Sequence, residues 1–218
     1  MIDEQREDAG PIALFGATGG TGLALLARAV WSGRAVRAAA RDATRLGRFQ
    51  GEPRVVPVPV SLADPASVAS VIAGASAVVS ALGPRGLDPK GIYRTAFASI
   101  VAAMRATGTR RLVVVTSSGH ERDPSFPLFF KAFVKPLILR RIYRDMAAAE
   151  RIVEASDLDW TIVRPSMFVA HDEARRFRVE DRLNPRGGWK ISREHTAEFI
   201  LRELGERKWI HKHPALAY

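Results

Sequence analysis

The residues of this chain best able to do chemistry on an anion are three glycines set three apart, in the run Gly16-Ala-Thr-Gly19-Gly-Thr-Gly22. A short apolar run, residues 12–15, precedes them, and residues 21–32, with apolar side chains three or four apart, follow. Glycine lets the backbone turn sharply and approach a phosphate with no Cβ in the way. The helix N-terminus behind it offers unpaired N–H groups and the positive end of a dipole. Strand, turn and helix in that order predict that Gly16, Gly19 and Gly22 hold the pyrophosphate of a dinucleotide. After the next strand comes Arg41-Asp42-Ala-Thr44-Arg45. NAD sites usually place an acid there for the ribose 2′-OH, whereas a guanidinium pairs with a 2′-phosphate. Arg41, with Arg45 one helical turn on, therefore favours NADP(H) over NAD(H). The alternative is that Asp42 serves the ribose and Arg41 is only one arginine of a basic surface.

Elements must bring these residues together. Short apolar runs at 12–15, 35–40, 55–60, 77–81, 111–116 and 160–164 alternate with helical patterns at 21–32, 67–73, 93–107 and 144–155. Gly74, Gly108 and Ser156-Asp157 punctuate the helix ends. Such alternation predicts an α/β chain with a doubly wound parallel sheet, a Rossmann-like three-layer single domain over residues 11–218. Two excursions, at about 118–144 and 170–190, leave the C-terminal ends of strands, where ligands bind in open α/β sheets. The acceptor site is expected between them.

Composition narrows the function. Of 218 residues, 47% are hydrophobic and 26% charged, which fits one large globular domain. The absence of cysteine excludes disulfides, thiolate metal sites and a cysteine nucleophile, and agrees with a cytoplasmic setting. The formal charge of +10 comes mostly from 27 arginines and suits an anionic partner. A phosphorylated cofactor needs fewer assumptions than a nucleic acid, which is not expected. Residues 1–10 hold four acids and read as a flexible acidic tail without the apolar core of a signal peptide. The apolar stretch 126–143 is broken by Lys131, Lys135, Pro136, Arg140 and Arg141, so no stable membrane insertion is expected.

Taken together, Gly16-Ala-Thr-Gly-Gly-Thr-Gly-Leu23, Arg41-Asp-Ala-Thr-Arg45-Leu46, Leu82-Gly-Pro-Arg85 and Thr116-Ser117 make the chain resemble the atypical short-chain dehydrogenase/reductases. It is most similar to their small NAD(P)H-binding branch of flavin-reductase and biliverdin-IXβ-reductase type. The likeness runs from about Pro11 onward and includes Ile191-Ser-Arg. The resemblance implies Gly16, Thr18, Gly19, Gly20, Thr21 and Gly22 around the pyrophosphate and Arg41 and Arg45 at the 2′-phosphate. It also implies Leu82, Gly83, Arg85, Thr116 and Pro165 along the cofactor, with Ser117 facing the nicotinamide. Ser117, Arg85 and Tyr143 are the catalytic candidates. The chain departs from the family after its third strand, where the first acid is Asp64, and beyond the sixth, where Arg164-Pro165-Ser166-Met167 replaces a run containing histidine. Tyr143 lacks the lysine of a Tyr-x-x-x-Lys pair, because the fourth residue on is Ala147 and Met146 precedes it. A lysine ammonium lowers the pKa of such a tyrosine for proton exchange with an alcohol. Hydride transfer to a flavin, quinone or similar planar acceptor asks for less. The expectation is an NAD(P)H-dependent oxidoreductase on a small molecule, monomeric or homodimeric. The rivals are a non-catalytic NADP-binding redox sensor and a nucleotide-sugar epimerase or dehydratase.

Other groups carry less. The five histidines are scattered, and His211-Lys-His213 reads as a solvated tail, so no metal is predicted. The segment 126–144 joins apolar bulk to five cations. It reads as a lid over the acceptor pocket, a basic amphipathic stretch touching anionic lipid, or a subunit contact.

Overall fold

The computed structural model describes residues 10–84, 86–121, 123–171 and 174–218. The expected acidic tail, apart from Gly10, and Arg85 lie outside the described residues. Six strands fall where the apolar runs predict them: β1 (Ile12–Phe15), β2 (Val36–Ala39), β3 (Val55–Val58), β4 (Ala77–Ser80), β5 (Arg111–Val115) and β6 (Asp159–Pro165). Between them lie α1 (Gly20–Trp31), α2 (Pro65–Ile72), α3 (Ile92–Thr107) and α4 (Arg140–Glu154). Later come the short β7 (Met167–Val169), β8 (Arg178–Asp181) and β9 (Lys190–Ser192), then α5 (Arg193–Glu206) and β10 (Pro214–Ala217).

The main sheet has the order β3-β2-β1-β4-β5-β6-β10-β8, parallel except for β8, which runs antiparallel to β10. β7 and β9 form a separate parallel pair. Strand order reverses between β1 and β4, the topological switch point of a doubly wound sheet. The alternation of side chains builds three layers. Ala13 and Phe15 of β1, with Leu112 and Val114 of β5, pack on α2, α3 and α4 through Val71, Phe97, Ile100, Met104 and Val153. Ile12 and Leu14, with Val113 and Val163, pack on α1 and α5 through Leu25, Leu26, Phe199 and Ile200. A period of two therefore sends successive residues of each strand to opposite cores.

Arg111, at the start of β5, is 3% exposed and gives its guanidinium to Glu203 of α5 at 2.8 Å and to Thr161 of β6 at 2.8 Å. One sequence expectation changes here: residues 211–213 are not a solvated tail. His213 is buried, its Nε2 lies 2.7 Å from Glu154, and its ring stands against Trp160 with centroids 5.2 Å apart.

Candidate active site

The turn after β1 is tight because two positions exclude a Cβ. Gly16 has φ +80°, and a Cβ there would come within 2.6 Å of the Ala81 backbone beyond β4. At Gly22 a Cβ would run into the Gly16 carbonyl and lie 2.8 Å from Ala17 Cα. These contacts press the turn between the ends of β1 and β4, where Ala81 N–H donates to Phe15. The α1 N-terminus behind it has Gly19 as N-cap with no side-chain cap, and its first turn carries no acid. Helix amides without a side-chain acceptor, beside a turn with glycine at 16, 19 and 20, fit a bound pyrophosphate. Thr21 is buried under the turn. Arg193, at the start of α5, lays its side chain across Gly20, 2.7 Å from where a Cβ would stand, and over the Phe168 ring at 4.6 Å. The sequence reading knew Arg193 only as part of Ile191-Ser-Arg.

Beyond β2, Thr18, Arg41, Asp42 and Arg45 line one cleft of about 350 Å³. Arg41 and Arg45 are exposed. Asp42 caps the 3-10 turn of residues 43–49, its Oδ1 accepting from Thr44 N–H at 3.0 Å and from Thr44 Oγ1 at 2.6 Å. Those Thr44 bonds hold the Asp42 carboxyl below its usual range. The two guanidinium groups, not the acid, are thus the uncommitted charged groups of the cleft.

The second cluster grows from the C-terminal end of β5. Ser117 accepts from Gly119 N–H at 3.2 Å, and its side chain lies near enough to the Tyr143 phenol of α4 to act on its pKa. A Cβ on Gly119 would strike the Tyr143 Oη, so glycine there lets the phenol close over the turn. Burial raises the Tyr143 pKa above the usual phenol value, against a smaller lowering from Ser117. Below lies a charged group that sequence reasoning missed. Glu150, seven residues along α4 from Tyr143 and 3% exposed, accepts from Thr116 Oγ1 at 2.6 Å and from Arg164 Nη2 at 2.6 Å. His120 Nε2 lies 3.0 Å from the same carboxylate, and its Nδ1 is 2.6 Å from the Ser117 carbonyl. Burial alone would raise the Glu150 pKa, but hydrogen bonds from His120 and Arg164, with their charges, pull it down to about 2. The Ser117 turn is therefore anchored to β6 and α4 through one carboxylate.

A cavity of about 770 Å³ opens beside Tyr143. Phe126, Phe130, Pro136 and Ala147 supply apolar wall, and Lys131, Arg140 and Arg144 supply positive charge. Among the described residues its lining comes from 119–147, the first excursion and the start of α4. The second excursion acts from outside: Asn184 N–H donates to Asp123 Oδ2 at 2.6 Å, tying residues 182–189 to the cavity floor. Ala147 lines the cavity where a Tyr-x-x-x-Lys pair would put its lysine.

The remaining candidates fall nearby. Leu82 and Gly83 follow β4, and a Cβ on Gly83 would lie 3.5 Å from Tyr93 Oη. Pro165 ends β6, and its carbonyl lies 3.5 Å from Ser118 Oγ. Thr116 gives its hydroxyl to Glu150, so any part it has in holding a dinucleotide falls to its main chain.

A parallel sheet with a glycine turn at its switch point defines a Rossmann-type nucleotide-binding protein, and comparison with known proteins agrees. The chain belongs to the NAD(P)H-binding family, whose model matches residues 16–207. Among solved structures it is similar to a Burkholderia pseudomallei protein thought to be exported, at 28% identity over 95% of this chain and 99% of that one, TM-score 0.77. A short-chain dehydrogenase/reductase from Veillonella parvula DSM 2008, in complex with NADP, shares the fold at 19% identity, 96% and 94% coverage and TM-score 0.81. So does ChuY, an anaerobilin reductase from Escherichia coli O157:H7, at 22% identity, 95% and 96% coverage and TM-score 0.77. The expected NAD(P)H-binding family is thereby borne out, and the short-chain dehydrogenase/reductase neighbour shares its fold. Among the described residues no helix is long and apolar enough to cross a membrane.

Proposed function

We propose that this protein is an NADPH-dependent reductase that passes hydride to a small planar acceptor, of flavin or quinone type, held in the cavity beside Tyr143. The observation that carries the reading is the Ser117–Tyr143 pair. It stands at the C-terminal end of β5, on the same edge of the parallel sheet as the glycine turn, and borders an apolar-walled cavity. Gly16, Thr18, Gly19, Gly20, Thr21 and Gly22 would hold the pyrophosphate, Arg41 and Arg45 the 2′-phosphate, and Leu82, Gly83 and Pro165 the nicotinamide half. When bound, reduced nicotinamide supplies the hydride. Tyr143, a phenol already protonated at neutral pH and held more firmly so by burial, can donate a hydrogen bond to a developing negative charge on the acceptor. The phenolate that a general base would need is scarcely populated. With Ala147 in place of a lysine, alcohol oxidation and sugar epimerisation are disfavoured. The apolar walls exclude water from the transfer.

A second reading, a redox sensor that binds NADP without turnover, is favoured by that same missing ammonium. The deciding experiment follows the loss of reduced-nicotinamide absorbance with NADPH and NADH, using FMN, FAD and a simple quinone as acceptors and a control without protein. Turnover preferring NADPH is expected. NADPH binding with no turnover on any acceptor overturns the reductase in favour of the sensor. The compartment this reading expects is the cytoplasm, and cell fractionation tests it.

A further inference from the structure

We infer that the outer face of residues 128–144 is a docking surface for an anionic phospholipid bilayer. Among the described residues ten large hydrophobic side chains are exposed, and five of them lie within eleven residues: Leu128, Phe129, Phe133, Leu137 and Ile138. Residues Phe130–Ile138 form a π-helical segment in which no residue is buried. Its Leu139 N–H donates to the Val134 carbonyl five residues back, so side chains four to five apart share a face. Phe129, Phe133 and the pair Leu137–Ile138 are spaced that way. Phe130, Lys131, Lys135 and Pro136 instead line the cavity, as do Arg140 and Arg144 at the start of α4. The segment is thus a wall with an inner face on the cavity and an outer apolar face that nothing in the described chain covers.

Charge decides what covers it. Residues 124–144 contain Lys131, Lys135, Arg140, Arg141 and Arg144 and not one acid. The flanking acids are buried and engaged, Asp123 with the amides of Ser125 and Asn184 and Asp145 with Tyr93 N–H and Arg94. Arg141 is exposed and outside the cavity lining, Arg140 and Arg144 are exposed at the cavity's edge, and none of the three forms an ion pair among the described residues. A second copy packed face to face would set cation against cation. Anionic headgroups above acyl chains complement both features, apolar side chains entering the chain boundary and arginines meeting phosphates. Because the segment walls the cavity, docking sets that wall in the headgroup layer.

The test is co-sedimentation of the full chain with vesicles of phosphatidylcholine alone and of phosphatidylcholine mixed with phosphatidylglycerol, at low and high salt, beside gel filtration of the free protein. The expected result is pelleting only with the anionic vesicles, weakened by salt. Phe133→Ser with Leu137→Ser should abolish it, and Arg141→Gln should lower affinity about fivefold, one cation's share at such a surface. Thermal unfolding of each variant reports folding, and Arg141→Gln alone decides if the double variant fails to fold. Pelleting with neither vesicle, or equally with both, overturns the inference. So does a dimer in gel filtration that the double substitution dissociates in a protein that binds no vesicle.

Discussion

Replacing Glu150 by glutamine keeps the shape of the side chain and removes its charge. In the parent that carboxylate lies among Thr116, Arg164 and His120, and Arg164 is 2% exposed. Its pKa falls from 4.5 to about 2, which by linkage amounts to about 3 kcal/mol at neutral pH. That agrees with the roughly 3–5 kcal/mol lost when one partner of a buried ion pair is removed. The sign follows from the direction: the folded value lies below the unfolded one, so the contribution is complete above pH 4.5 and is lost as pH falls through about 2. The expected gap between parent and Glu150→Gln is then about 3 kcal/mol at pH 7 and about 1.5 kcal/mol at pH 3. Urea unfolding followed by tryptophan fluorescence at both pH values measures it, since Trp160 is buried on β6, the strand that also carries Arg164. A gap under about 1 kcal/mol at pH 7, or one unchanged at pH 3, would refute the claim that this charge holds the site together.

Three further outcomes are expected. Arg41→Ala should weaken NADPH binding by roughly 10- to 100-fold, the worth of charge-assisted bonds to a phosphate, and leave NADH within about twofold; fluorescence titration with both cofactors checks it. Gly22→Ala should cost on the order of 1–3 kcal/mol, because its Cβ meets the Gly16 carbonyl rather than a yielding side chain, and thermal denaturation reads the loss. Tyr143→Phe should lower kcat on the preferred acceptor by about 100-fold with little change in NADPH affinity, and steady-state kinetics separates the two.

The legible part of this chain is the part governed by one periodicity at a time. β1 to β6 are apolar runs, and Gly108 ends α3 in the left-handed conformation that a C-cap glycine supplies. α5 escaped notice because its buried face mixes His195, Thr196 and Glu203 with Phe199 and Ile200, which blurs the helical stripe. β10 is a short Pro-Ala-Leu-Ala run behind His-Lys-His, with little β-branched character. The start of α4 was read four residues late, since Arg140 and Arg141 occupy a first turn where the dipole favours acids. Pro136 hid the π-helical segment in the same way. At the site, the glycine turn and the Arg41–Arg45 spacing could be read locally, and so could Ser117 and Tyr143 as separate candidates. The Glu150 cluster could not, because His120, Glu150 and Arg164 come from three elements and meet only once β5, β6 and α4 pack. Its faint signal was the spacing: Glu150 falls two helical turns from Tyr143, and His120 three residues from Ser117.

Thr44's hold on Asp42 bears on how such a protein could change its cofactor over time. The acid that a ribose 2′-OH requires is already present in the chain, one residue from Arg41, yet it is turned into the loop it caps. On the proposed reading, in which Arg41 and Arg45 meet a 2′-phosphate, loss of Arg41 alone would leave a lineage weak toward one cofactor without gaining the other, whereas a change at Thr44 made first would free the carboxylate while the arginines still serve. On that reading the order of substitutions matters more than their number, and Thr44, which holds the acid without lining the cleft, controls which mutational path is open.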